Sequence, residues 1–130
     1  MFLEYSKGVN KIGHIALRVK DLERAKSFYQ SLGMKLIWDD DDWCYFETST
    51  SKDGLALLGP NYKAAGPHFA FHFDNKKEVE NIHKDLKNAG IHVGSIHEHR
   101  DGTASFYMRD TEENWLEMLY VPKGGIKSNV

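Results

Sequence analysis

Two imidazoles and one carboxylate define the chemistry open to this chain. His14 opens the stretch His14-Ile15-Ala16-Leu17-Arg18-Val19, and His68 opens His68-Phe69-Ala70-Phe71-His72-Phe73. Glu117 lies within Trp115-Leu116-Glu117-Met118-Leu119. All three stretches read as β-strands. Two His and one carboxylate hold a divalent metal while leaving coordination positions open for substrate. If the three converge, a metalloenzyme is expected.

Strand alternation gives the reason to expect convergence. Side chains alternate across a strand, so His14, Ala16 and Arg18 share one face and Ile15, Leu17 and Val19 the other. Likewise His68, Ala70 and His72 lie opposite Phe69, Phe71 and Phe73. The apolar faces are expected to pack on helices, leaving the His-bearing faces to line a concave, more polar surface. The small Ala two residues after each His leaves room there. Glu117 shares its face with Trp115 and Leu119. A single strand His is more often a hydrogen-bonded structural residue. Two repeat-related histidines with an inward carboxylate are harder to explain by packing, because an unpaired buried Glu is costly.

The elements that must position these residues occur twice. Each half begins with the His strand, passes a cap residue and runs into a helix that a glycine stops. The first helix has Asp21 as N-cap and Gly33 beyond its end, with Leu22, Ala25, Phe28 and Leu32 on one side. The second has Asn75 and Glu78 as a capping box, Gly90 as its stop, and Val79, Ile82, Leu86 and Ala89 on one side. Strands are predicted over 34–38, 43–48 and 55–58 in the first half, and over 92–97, 103–109 and 115–120 in the second. Each half therefore reads β-α-β-β-β, an α+β class. Gly59-Pro60 and Gly66-Pro67 bracket the junction. The expected organisation is an N-terminal arm (1–10), a single domain over 11–122 with modules at about 11–60 and 67–122, and a flexible tail (123–130).

Bulk properties exclude several classes. At 130 residues, one domain is the default. A net charge of −2 leaves no basic footprint for nucleic acid. No apolar run reaches membrane-spanning length, and no signal peptide is visible. The single cysteine, Cys44, forms no internal disulfide and fits a reducing cytoplasm. Between Trp43 and Tyr45 it reads as a small buried hydrophobe rather than a nucleophile. The acidic run Asp39–Asp42 lacks the alternation of a calcium loop and reads as a solvated turn.

The chain resembles the vicinal oxygen chelate superfamily of glyoxalases, extradiol dioxygenases, fosfomycin-resistance thiol transferases, methylmalonyl-CoA epimerases and bleomycin-binding proteins. Ile12-Gly13-His14 through Val19, followed by Asp21-Leu22-Glu23-Arg24-Ala25-Lys26-Ser27-Phe28-Tyr29, is similar to the family's first module. Pro67 to Phe71 resembles its second metal strand, and Phe106 to Asp110 through Asn114 to Glu117 resembles its ending. The usual Asp-Pro-Asp-Gly-Asn turn here reads Asp110-Thr111-Glu112-Glu113-Asn114. The resemblance implies paired modules forming a curved half-barrel sheet around one metal, and a homodimer. It implies a small-molecule substrate that chelates the metal through neighbouring oxygens. Fe(II) or Mn(II) is favoured, with Zn(II) and Ni(II) compatible.

The resemblance also divides into branches. Glyoxalases and epimerases add a ligand on the last strand of the first half. Aligning Gly54 with Asn114 puts Leu57 there, which cannot ligate and argues against both. Extradiol dioxygenases use a Tyr ten residues before the ligand Glu, matched by Tyr107, and a proton-moving His, for which His97 and His99 are candidates. An additional active-site His of that branch has no counterpart between His14 and His68. Fosfomycin-type thiol transfer uses the same ligands but needs a basic cluster that is not evident. A dioxygenase-like enzyme is therefore expected, with thiol transfer and non-catalytic binding of the bleomycin-resistance type as alternatives. His72, Arg18 and Trp115 are expected at the substrate pocket, and His72 also suits support of a metal ligand.

Overall fold

The computed structural model describes residues 8–130. Most of the expected N-terminal arm, residues 1–7, lies outside the described residues. The first module comprises β1 (Lys11–Arg18), α1 (Leu22–Ser31), β2 (Lys35–Asp39), β3 (Trp43–Glu47) and β4 (Gly54–Leu58). The second comprises β5 (His68–Phe73), α2 (Lys76–Asn88), β6 (His97–Glu98), β7 (Ala104–Arg109) and β8 (Trp115–Tyr120). All eight strands form one mixed sheet, in the order β2-β3-β4-β1-β5-β8-β7-β6, curled into a half-barrel.

The two His strands meet at the centre of that order. β1 and β5 pair antiparallel, with Ala16 opposite His68 and His14 opposite Ala70. Each is flanked on its other side by the last strand of its own module, in parallel. This is an approximate twofold arrangement of βαβββ units. It places His14 and His68 on neighbouring strands and Glu117 on the strand next to His68.

Local chemistry sets the element boundaries. The Asp21 carboxylate accepts from the Arg24 amide, and the Asn75 side chain accepts from the Lys77 amide, capping both helices. Gly33 (φ +86°) and Gly90 (φ +81°) adopt the left-handed conformation that ends each helix. On α2, Val79, Ile82 and Leu86 are buried against Phe73, Phe106 and Leu116. Ala89, expected on that face, is exposed.

Three expectations are corrected. On α1 the inward stripe is Leu22, Ala25 and Tyr29, packed with Cys44, Phe46 and Leu57. Phe28 and Leu32 point away from it, at 57% and 64% exposure. Positions 22, 25 and 29 follow the helical repeat more closely than 22, 28 and 32 do. The strand predicted over 92–97 shrinks to His97–Glu98 and an isolated bridge from Val93 to Met108. Gly94 interrupts it: its amide donates to the Tyr107 carbonyl, and an added Cβ would lie 3.1 Å from that oxygen. Among the described residues, no helix covers the outer face of β1. α1 packs chiefly on β4, and α2 on β5, β7 and β8. Ile12, Ile15 and Leu17 between them are 59%, 50% and 38% exposed.

The tail, expected to be flexible, lies across the open side of the half-barrel. The Lys127 amide donates to the Asp101 carbonyl, beside the β6 edge, and the Asn129 amide donates to the Ile37 carbonyl on the β2 edge. The Asn129 side chain bonds both the amide and the carbonyl of Asp39. Ile126 packs on the aromatic cluster of Trp38, Trp43 and Tyr45. Arg100 spans the same gap to Asp40 at 3.0 Å and Asp42 at 3.5 Å. Among the described residues, no helix is long and apolar enough to cross a membrane.

Removing residues 124–130 should therefore lower unfolding stability by about 2 kcal/mol, from lost hydrogen bonds and the uncovered Ile126 contact. Urea unfolding measures it; an unchanged midpoint would mean the tail adds nothing.

Candidate metal centre

The sheet brings His14, His68 and Glu117 together on its concave face, in a single chain. Among the described residues they form a group whose potential ligand atoms all lie within 4.8 Å of one another. Glu117 Oε1 is 3.2 Å from His14 Nε2 and 3.2 Å from His68 Nε2. Ligand atoms about 2.0–2.2 Å from an ion and at right angles to each other are separated by about 3 Å. Both His–Glu117 separations are thus already close to the edge length of a metal polyhedron.

The other polar atoms of the three ligands are occupied. His68 Nδ1 lies 2.8 Å from the Gly66 carbonyl, and His14 Nδ1 lies 2.8 Å from His72 Nε2. Glu117 Oε2 accepts from Ser105 Oγ at 2.5 Å, and His99 Nε2 lies 2.6 Å from the same hydroxyl. The one remaining ligand atom of each is turned toward those of the other two. These residues fit a divalent metal.

Glu117 is only 3% exposed. Burial alone would raise its pKa, but hydrogen bonds and charge interactions with His14 and His68 outweigh that and hold it well below the usual carboxylate range. Burial, with smaller contributions from His14 and Lys11, pushes His72 down to about 3, so it is an uncharged imidazole. Burial, then the Glu117 charge, raises the Tyr107 phenol, which stays protonated. Burial pushes Cys44 up to about 12, leaving it an inert thiol against α1.

β4 supplies no ligand, although the register differs from the one expected. Ala16 pairs with Ala56 as Ala70 pairs with Glu117, so Ala56 is the repeat counterpart of Glu117. Leu57 faces the other way and is buried under α1. Aligning the turns rather than the strand register caused the one-residue slip. The first module therefore presents a methyl group where the second presents a carboxylate.

A cavity of about 430 Å³ opens over the ligands, walled by Trp43, Tyr45, Tyr62, His99, Arg100 and Tyr107. The Tyr107 ring meets His68 edge to face at 5.1 Å, and Tyr45 meets His14 at 5.7 Å. A second cavity, about 760 Å³, shares His68 and Tyr107 and is lined by Trp115 and Arg109. The Arg109 guanidinium lies 4.4 Å over the Trp115 ring.

Tyr107, His99 and Trp115 thus line cavities beside the ligands, while three other candidates do not. His97 pairs with Ser105 but is exposed on the two-residue edge strand, outside either wall. Arg18 is engaged by the linker between the modules, donating to the carbonyls of Gly59, Tyr62 and Ala65. His72 is buried behind His14 rather than in the pocket wall. Sequence reasoning missed Ser105, Tyr45 and Tyr62. Ser105 was reachable: it shares a strand face with Tyr107, and the β7–β8 hairpin sets Tyr107 opposite Glu117 and Ser105 opposite Leu119.

Paired βαβββ modules with a His, His, Glu face define a class, and sequence comparison places the chain in it. The profile of the Glyoxalase/Bleomycin resistance protein/Dioxygenase superfamily matches residues 11–118, and the chain belongs to that superfamily. No curated protein matches the chain. Among solved structures, a Streptomyces coelicolor methylmalonyl-CoA epimerase variant is 16% identical with a TM-score of 0.69, over 87% of this chain and 98% of that one. Homoprotocatechuate 2,3-dioxygenase from Arthrobacter globiformis is 18% identical with a TM-score of 0.72, over 90% of this chain but 39% of that one. The 2,2',3-trihydroxybiphenyl 1,2-dioxygenase of Sphingomonas wittichii strain RW1 is 24% identical with a TM-score of 0.66, over 96% and 45%. At these identities the likeness shows the fold. Members of the superfamily are mostly metal-dependent enzymes of several reaction types.

In the metal-free protein, Glu117 has a folded pKa below its unfolded one. Its ionised form thus contributes stability that is fully present above about pH 4.5 and is lost as pH falls toward the folded value. A pH series of unfolding midpoints should show this acid-side slope, and Glu117→Gln should flatten it. An equal slope in the variant would place the charge elsewhere.

Proposed function

We propose that this chain is a metal-dependent, dioxygenase-like enzyme acting on a small molecule that chelates the metal through neighbouring oxygens. The observation that carries the reading is the ligand count. His14, His68 and Glu117 Oε1 make one facial set, and Ala56 stands where a further ligand would come from the repeat. That leaves room for a chelating substrate and dioxygen together, which a four-ligand site would not. When bound, Fe(II) or Mn(II) would bring substrate and dioxygen into contact and supply the electron-transfer path between them; Zn(II) and Ni(II) suit the same donors.

The surrounding residues suit such a substrate. Tyr107, a protonated phenol beside His68, is placed to donate a hydrogen bond to a substrate oxygen and orient it. His99, in the cavity wall and bonded to Ser105, is placed to take up a proton released by the substrate. Trp43, Tyr45 and Tyr62 offer an apolar wall for a flat ring. Thiol transfer to an anionic substrate is less well supported, because the cavity's Arg100 is already paired with Asp40 and Asp42. The exposed apolar strip of Ile12, Ile15 and Leu17 supports the homodimer that the family resemblance implies.

Anaerobically purified protein should carry about one metal per chain, and Glu117→Gln should lose it, as elemental analysis would report. With iron bound, catechol-type substrates should drive oxygen uptake. Metal binding without uptake from any catechol, but with thiol addition to an epoxide, would move the assignment to thiol transfer. No metal even on reconstitution would leave a binding module. Tyr107→Phe should lower kcat by about 10²-fold with the metal retained. Sedimentation should give a dimer, and Ile15→Lys a monomer; a monomeric parent would refute the dimer.

A further inference from the structure

The two ligand histidines are oriented by different partners, and the difference follows from the residues four positions after each. His68 Nδ1 faces the Gly66 carbonyl at 2.8 Å. A carbonyl only accepts, so this bond puts a proton on Nδ1 and makes Nε2 the ring nitrogen that can ligate a metal. His14 Nδ1 faces another imidazole, His72 Nε2, at the same 2.8 Å. An imidazole nitrogen either donates or accepts, depending on tautomer. His14 offers Nε2 to a metal only when His72 accepts, which requires the His72 proton on its own Nδ1.

The backbone is shaped for this contact. The β1–β5 register shifts between Ile12 and His14, a bulge at Gly13. A Cβ on Gly13 would lie 2.0 Å from Cγ of the His72 ring. Only glycine leaves space for the imidazole that reaches His14. His72 belongs to the second module and His14 to the first, so the support crosses the pseudo-twofold.

The reverse crossing exists too. His72 follows His68 by four residues, and Arg18 follows His14 by four. Arg18 donates to the carbonyls of Gly59, Tyr62 and Ala65 at 2.6, 2.8 and 3.0 Å. It thereby fixes the linker whose next residue, Gly66, orients His68. We propose that His72 and Arg18 are reciprocal positioning residues: each module's His strand holds the other module's ligand histidine in its metal-binding tautomer, His72 directly and Arg18 through the linker. This rests on the metal-site reading above but not on the reaction assigned to it.

The test is Co(II) titration of the metal-free protein, followed by visible absorption, with thermal unfolding run alongside. His72→Phe and Gly13→Ala should each weaken Co(II) binding about 10- to 100-fold. His72→Gln, which keeps an accepting oxygen, should recover most of that loss, whereas a merely space-filling role would favour Phe. Arg18→Met should weaken binding in the same direction, with His14 contacts intact. On the parent itself, the Zn(II)-loaded protein should show a slowly exchanging His14 Nδ1–H by NMR, a readout that needs no variant. A folded His72→Phe binding Co(II) like the parent, or rapid exchange of that proton, overturns the proposal. A parent that binds no Co(II) overturns the metal site and the proposal together. Metal binding without oxygen chemistry would overturn only the reaction.

Discussion

The structure is organised around one costly act, the burial of the Glu117 carboxylate. A buried charge needs a partner and hydrogen bonds, or it is neutralised. Here every lone pair direction is answered: Ser105 on one oxygen, and two imidazoles on the other. Those imidazoles come from the two central strands, so the carboxylate can be satisfied only if the modules pair as they do. The two imidazoles that stabilise the charge in the metal-free fold, together with Glu117 itself, are the donors that would surround a divalent cation. A bound cation would therefore take the place of the imidazole contacts as the partner of the Glu117 charge.

The approximate symmetry explains where the site is, and its breakdown explains what the site can do. Equivalent strands deliver equivalent histidines, each followed by an Ala that leaves space on the concave face. The equivalence then fails at two kinds of position. Ala56 occupies the repeat position of Glu117, which would limit the protein ligands to three. Arg18 and His72 occupy equivalent positions but serve one linker and one imidazole. A symmetric pair of folds thus yields an asymmetric centre, with ligands on one side and open volume on the other.

Much of this was legible in the sequence because it follows from periodicity. The alternation of His14-Ile15-Ala16 and His68-Phe69-Ala70 gave the inward faces, and Asp21, Gly33, Asn75 and Gly90 punctuated the helices. What was not legible depended on register and on long-range partners. Leu57 and Ala56 differ by one residue, and a one-residue slip turns every side chain to the other face. Arg18 and His72 face the right side of their strands, yet their partners lie 41 and 58 residues away in sequence. The tail from Lys123 has a loop's composition, and nothing local announces that Asn129 bonds the β2 edge. The exposed outer face of β1 was hidden for a related reason, since alternation identifies an apolar face but not what covers it.

Closure of the half-barrel rim bears on the chemistry as directly as the ligands do. A curled sheet with ligands on its concave face is open on one side, and water there would compete for every free metal position. In this chain the Arg100 pairs and the tail join the two edge strands across that opening, while Ile126, Trp43 and Tyr62 add apolar surface to the wall. Electrostatic interactions strengthen as water is excluded, so in the proposed function the phenol of Tyr107 and the imidazole of His99 would act on a bound oxygen more strongly than in an open groove. The contacts that close the rim are polar and lie far from the ligands in sequence, whereas those that set the ligands are buried and central. On the proposed function, metal affinity and access to the cavity would be set by separate parts of the fold, so substitutions at the rim would alter which small molecule enters without disturbing the metal-binding face.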